Sequence, residues 1–267
     1  MKKLLLLLSL IISTISQGQT TSSFSNYFSG NKRYCEMSKE NLELWKLGFD
    51  ALQFEKYYKY SSAAFLKIIK ADSTNCDAYF MAGYTCRIQN MPKEALVYYY
   101  MADSLAQNKS IEFKQNLATT SFALGNLKLS RKKYLEMVEF FPESPEGYYG
   151  IALTSTIIGD VENGLENMNK AAKIYNSLNN KLNDDSYLLF GILLTRNGKF
   201  SESLPYFEQC YSKYKKEDGF NTHYSYSLLK VSQINKDEKM KQKALKIYEK
   251  IKNKEEITEE IRNEFKV

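Results

Sequence analysis

The sequence predicts an all-α protein, a stack of about six helix-turn-helix units closed by a C-terminal helix. Three observations carry this reading. Only 4 of the 267 residues are Pro and 12 are Gly, so little interrupts helix. Small and large residues recur at fixed offsets with a period of about 34 residues, the mark of a repeat architecture. Within each period the apolar positions are spaced by three, four and seven, which lays one stripe along each of two helices. Aromatic residues make up 14% of the chain, with 21 Tyr and 15 Phe, which excludes a largely disordered polymer.

Residues 1–18 read as an export signal. Lys2 and Lys3 precede the apolar run Leu4 to Ile12, broken by Ser9, and the small and polar stretch Ser13 to Gly18 follows. The run is shorter than the ~20 apolar residues a bilayer span needs. The expectation is cleavage after Ser16 or Gly18, with no membrane span afterwards, placing the chain in the periplasm or secreted at the cell envelope. An uncut anchor is the alternative. No cysteine directly follows the run, which disfavours a lipid anchor. Residues 19–41, rich in Ser, Asn and Gly from Thr20 to Arg33, are expected to be a flexible lead.

The repeat array is expected over 42–253, as units 42–75, 76–109, 111–144, 145–178, 184–217 and 221–253. Its frame is anchored at Lys56, Asn90, Gly125, Gly159, Gly198 and Lys239. Five residues after the anchors stand Ser61, Ala95, Ser130, Gly164, Ser203 and Ala244. Nine after stand Phe65, Tyr99, Tyr134, Met168, Phe207 and Tyr248. Seven before stand Phe49, Gly83, Ala118, Ala152, Gly191 and Ser232; eleven before stand Trp45, Tyr79, Lys114, Tyr148, Tyr187 and Leu228. Small residues on the first helix let the second approach, and large ones fill the space beside it. Glycine suits the corner between them. Wider spacing of the last anchors implies loops at Asn176 to Asp184 and around Ile234 to Met240. Residues 254–267, with Ile257, Ile261 and Phe265 spaced by four, read as a capping helix.

This succession of aromatic, small residue, turn glycine, small residue and aromatic resembles the tetratricopeptide repeat. The fullest copies are Tyr79, Gly83, Ala95, Tyr99, Ala102 and Tyr187, Gly191, Gly198, Phe200, Phe207, with Pro142 closing the third unit. The sequence departs from the pattern at Lys114, where a large apolar residue is usual, and at Gly48 and Phe49, which stand in reversed order. The resemblance implies a bacterial, right-handed α-solenoid whose inner wall is lined by the first helix of each unit. It places Phe80, Tyr84, Arg87, Asn116, Tyr149, Leu188, Arg196 and Tyr226 on that wall, a lining suited to a peptide or partner protein. Some family members clamp an acidic C-terminal tail with Lys and Asn. Here Lys46 is suitably placed, but Asp50 stands where Asn is wanted, so that partner is not expected.

Catalytic signatures are sparse. His223 is the chain's one histidine and is expected near a helix start, capping or partly exposed. No His-Glu-x-x-His, Cys-x-x-Cys or phosphate-loop sequence occurs, so no metal and no cofactor are expected. Asp184-Asp185 and Glu255-Glu256 suit helix starts, where negative charge meets the backbone dipole. The net charge of +6 is dispersed, and the basic stretch Lys239 to Lys254 also carries Glu249, so nucleic acid is not an expected partner. Cys86 and Cys210 fall at inward positions; Cys35 and Cys76 are left as a candidate pair, which the sequence leaves open. The reading is a non-catalytic scaffold or adaptor that binds a protein or peptide. A glycan-binding envelope module and a carboxylate-dependent hydrolase are the alternatives.

Overall fold

In a computed structural model, residues 32–266 are described, so the signal segment 1–18 and residues 19–31 lie outside them. The described residues form thirteen α-helices and two short 3-10 helices, with no strand among them. In chain order the helices are α1 Lys39–Ala51, α2 Tyr58–Ala71, α3 Cys76–Ile88, α4 Pro92–Ala106, α5 Ile111–Ala123, α6 Leu127–Phe140 and α7 Pro145–Ile158. There follow α8 Val161–Ser177, α9 Asp184–Arg196, α10 Phe200–Tyr214, α11 Asp218–Asn235, α12 Glu238–Tyr248 and α13 Glu259–Glu264. Two compact units divide them, one ending at Gly147 and the other beginning at Tyr148.

Short polar side chains start many of these helices. Ser38, Asn75, Ser110, Asn126, Asn183 and Asp237 each accept a hydrogen bond from the backbone N–H three residues on, satisfying a donor the helix cannot. The corners are equally local. Gly125, Gly159 and Gly198 have φ of 76°, 92° and 74°, the left-handed conformation that ends a helix without a Cβ clash. Asn90 occupies the matching corner at φ 59°.

In the N-terminal unit Trp45, Phe65, Ile68, Phe80, Met81, Tyr99, Phe113 and Leu117 form one buried cluster. In the C-terminal unit Phe207, Cys210, Phe220, Tyr224, Leu228, Ile247 and Phe265 form another. Close approach within a hairpin depends on the small residue facing the large one. A Cβ on Gly83 would lie 2.7 Å from the Tyr99 ring, and one on Gly191 would lie 2.6 Å from Phe207. Cys86 and Cys210 are buried free thiols, and Cys35 is joined to Cys76 by a disulfide.

Three features differ from the sequence expectation. In the first hairpin Gly48, not Phe49, meets Phe65, where an added Cβ would lie 2.6 Å away; a 3-10 turn at Glu55–Tyr57 takes up the extra residue. In the sixth hairpin α11 continues through Asn235, and the left-handed corner is Lys236 at φ 56°, three residues before the expected anchor. Ala244, Ile247 and Ile251 are buried, so the core stripe starts nearly one helical turn later than the corner. A shift of three residues returns to the same helix face, so periodicity alone cannot reveal it. The C-terminal segment is a 3-10 turn at Lys254–Glu256 followed by the short α13, because Ile257 is extended and turns inward. Phe265 then stacks on Tyr248, ring centroids 3.9 Å apart.

Lys114, the departure on α5, is buried in a four-membered ring of charges. Its Nζ lies 3.0 Å from Asp103 Oδ1 and 2.7 Å from Glu136 Oε2; Lys133 Nζ lies 2.6 Å from Asp103 Oδ2 and 2.8 Å from the same Glu136 oxygen. Two cations and two anions cancel, so each charge has two partners within the ring. Burial pushes the Glu136 carboxyl up and Lys133 down, but the mutual hydrogen bonds outweigh it: Glu136 ends below and Lys133 above its ordinary range.

Candidate functional site

Within each unit the first helices pack against their neighbours, α3 against α2 and α4, α5 against α4 and α6, and α9 against α8, α10 and α11, leaving only a strip of each uncovered. Four of the eight wall candidates do not lie on that strip. Phe80 is fully buried and stacks on Phe113, ring centroids 4.5 Å apart. Asn116 is buried and donates from Nδ2 to the Glu112 carbonyl of its own helix, 2.9 Å away. Leu188 packs in the C-terminal core. Tyr226 is buried edge-on against Phe200, ring centroids 5.4 Å apart. The resemblance places all four on first helices, but their side chains are buried there.

Tyr84, Arg87, Tyr149 and Arg196 keep exposed surface. In the N-terminal unit the Arg87 guanidinium carbon lies 5.0 Å from the Tyr84 ring centroid, and its Nε donates to the Tyr99 hydroxyl at 3.3 Å. The planar cation is thereby held against a ring before any ligand arrives. In the C-terminal unit Arg196 donates to the carbonyl of Thr156 in the last turn of α7, where the helix dipole favours a cation. Arg87 thus presents a positioned guanidinium beside an aromatic ring, a chemistry that recognises carboxylates and peptide carbonyls, whereas Arg196 is held on a backbone carbonyl.

His223 is not the cap of α11, which is Glu217; the residue is partly exposed, as expected, but its imidazole Nδ1 is buried without a hydrogen-bond partner. Burial, followed by the charge of Arg196, holds its pKa down at about 4, so the ring is neutral at physiological pH.

A second constellation was not legible as a site. Residues 32–36 run along the edge formed by the starts of α3 and α5. The backbone N–H groups of Tyr34 and Cys35 both donate to Asp77 Oδ2, at 2.9 and 2.7 Å. Asn75 Nδ2 donates to the Glu36 carbonyl at 3.0 Å. The Tyr34 hydroxyl donates to Glu112 Oε2 at 2.5 Å, and its ring meets Phe113 edge-on at 5.2 Å. Lys32 Nζ lies 3.3 Å from Glu112 Oε1 and 4.8 Å from the Tyr34 ring centroid. Burial first, and then the Glu112 carboxylate, raises the Tyr34 phenol well above its ordinary value. Asp77 and Glu112 belong to no motif in the sequence, and their partners come from a segment expected to be flexible.

Among the described residues Cys35, Cys76 and Asp77 bring two sulfurs and a carboxylate oxygen within 4.8 Å of one another. The sulfurs are bonded to each other, and a disulfide has no thiolate to offer a metal. No helix among the described residues is long and apolar enough to cross a membrane.

No family model matches the chain, and no curated protein matches it. Solved structures do. A tetratricopeptide repeat protein from Parabacteroides merdae is 16% identical, with 86% of this chain and 98% of that one covered and a TM-score of 0.57. PilF of Pseudomonas aeruginosa is 14% identical, covering 78% of this chain and 89% of its own, also at 0.57. YrrB, described as a tetratricopeptide-repeat protein with an unusual peptide-binding site, is 15% identical over 70% of this chain and 93% of its own, at 0.55.

Proposed function

We propose that this chain, which has the tetratricopeptide-repeat fold, is a non-catalytic scaffold or adaptor that binds a peptide or a partner protein through the exposed strip of its first helices. The carrying observation is the Tyr84 and Arg87 pair, a half-buried ring with a guanidinium held against it. Aromatic and arginine side chains supply large contact area and directional hydrogen bonds, and they dominate the energetics of protein interfaces. The peptide-binding description of YrrB supports the same reading for this fold. The exported location belongs to this proposal as well: a basic start, a short apolar run and a small-residue stretch are what secretion needs.

The test compares the full chain with its Tyr84→Ala, Arg87→Ala variant as bait in an envelope extract, with helical circular dichroism checked for both. The unmodified chain is expected to retain a defined protein that the variant loses. Equal retention by a folded variant removes the strip from the binding site.

A further inference from the structure

We propose that the outer face of α2, with the corner that precedes it, is a docking surface for an anionic phospholipid bilayer. This surface is separate from the strip carrying Tyr84 and Arg87, and the two tests fail independently.

Large apolar side chains are left open to solvent here in close succession. Phe54, Tyr57, Tyr60 and Leu66 are all exposed, Phe54 and Tyr60 at 56% each. Three of them form a chain of rings: Phe54 meets Tyr57 edge-on with centroids 6.0 Å apart, and Tyr57 meets Tyr60 at 6.1 Å. The 3-10 turn at Glu55–Tyr57, which buries none of its residues, holds Tyr57 between the other two.

The helix that follows has two working faces. Ser61, Ala64, Phe65 and Ile68 are buried in the core. Lys59, Tyr60, Ala63, Leu66, Lys67 and Lys70 are exposed, and at about 3.6 residues per turn they share an arc of roughly 120° on the other side. From Lys56 to Ala71 the chain carries four lysines and no acid, whereas α4, α6, α8, α10 and α12 each contain Asp or Glu. Asp72, which ends the run, accepts from the Thr74 backbone and hydroxyl. Among the described residues no carboxylate forms an ion pair with Lys56, Lys59, Lys67 or Lys70. A solvated face mixes its signs, while lysines of one sign around an apolar stripe are complementary to an anionic, partly apolar surface.

The chemistry favours lipid over a protein or a sugar. Tyrosine has an apolar body and a polar tip, which suits the headgroup level of a bilayer. Lysine is a point charge on a flexible stem, able to follow laterally mobile phosphates without the fixed geometry an arginine fork reads. The Lys56 and Lys59 ammonium groups lie 4.8 and 5.0 Å from the Tyr57 and Tyr60 ring centroids, so cation and ring stand side by side. The rings meet edge-on and offer no flat platform for a sugar to stack on.

Residues 1–18 are apolar enough to hold any version of the full chain on a vesicle, so contact has to be read at the face itself. Tyr60→Trp places an exposed indole there while Trp45 stays enclosed, and Leu178→Trp places one on an exposed position of the other compact unit. Both full chains, checked for helical circular dichroism, are titrated with phosphatidylglycerol vesicles brominated on their acyl chains, and with brominated phosphatidylcholine vesicles. The fluorescence of Tyr60→Trp is expected to be quenched saturably by the anionic vesicles, and that of Leu178→Trp is not. Adding Lys56→Gln and Lys59→Gln should raise the lipid concentration at half-quenching about 25-fold, about fivefold for each ammonium withdrawn from the surface. No quenching of Tyr60→Trp, equal quenching at both positions, an equal response to phosphatidylcholine, or indifference to the two lysines overturns the proposal. A chain that ignores vesicles but dimerises or holds an envelope protein through this face also overturns it, assigning α2 to a protein partner. Phe54→Trp takes the place of Tyr60→Trp if the latter does not fold; failure of both to fold overturns the proposal too, because the rings would then be core.

Discussion

Gly191 and Gly159 are both glycines of the repeat frame, yet the space around them differs. A methyl on Gly191 would press into Phe207 on the second helix of its hairpin, 2.6 Å away. Gly191→Ala is therefore expected to destabilise by about 1–2 kcal/mol, overpacking outweighing the better helix propensity of alanine, measurable by urea denaturation. His223 gives a pH dependence. Its folded pKa of about 4 lies below the ordinary 6.5, so the unfolded chain takes up the proton first. Its contribution is complete above pH 6.5 and falls as pH drops toward 4. No second histidine overlaps the window. In His223→Gln the urea midpoint should vary less over that interval; an unchanged slope would contradict the assignment. The sequence placed this histidine near a helix start and partly exposed, but could not show that its Nδ1 is enclosed, because that comes from packing against other helices rather than from residues 218–235.

Elements were more legible where geometry forces a residue type. The corners at Gly125, Gly159 and Gly198 could be read because a left-handed backbone admits few side chains. Lys236 adopts the same conformation without announcing it, so the sixth corner was placed three residues late. The candidate wall was half legible, since a period identifies faces but does not say which face a neighbouring repeat covers; Phe80 and Leu188 went to packing, Tyr84 and Arg87 did not. Lys114 looked like an error in the pattern and is instead one corner of the ion ring joining α4, α5 and α6. Lys114→Ala would leave a buried net negative charge and should destabilise by about 3 kcal/mol. Lys114→Met with Glu136→Met keeps the Asp103 to Lys133 pair, and should lose less than the single alanine variant in the same denaturation assay.

At the scale of the molecule, each compact unit has its own buried aromatic cluster. Repeat proteins draw stability from neighbour contacts, so damage spreads no further than those contacts carry it. Amide exchange in Gly191→Ala should accelerate in α9 to α12 and leave α1 to α4 as protected as before. Uniform acceleration would show a single cooperative unit. The ion ring has a consequence for how the chain responds to ionic strength. Dissolved salt screens exposed pairs such as Lys170 with Glu166, whose side chains are 50% and 64% accessible. It reaches far less of a ring in which Lys114 is 1% and Asp103 4% accessible. Counter-ions added to the solvent will adjust the surface of this protein and leave its central electrostatic knot as it was.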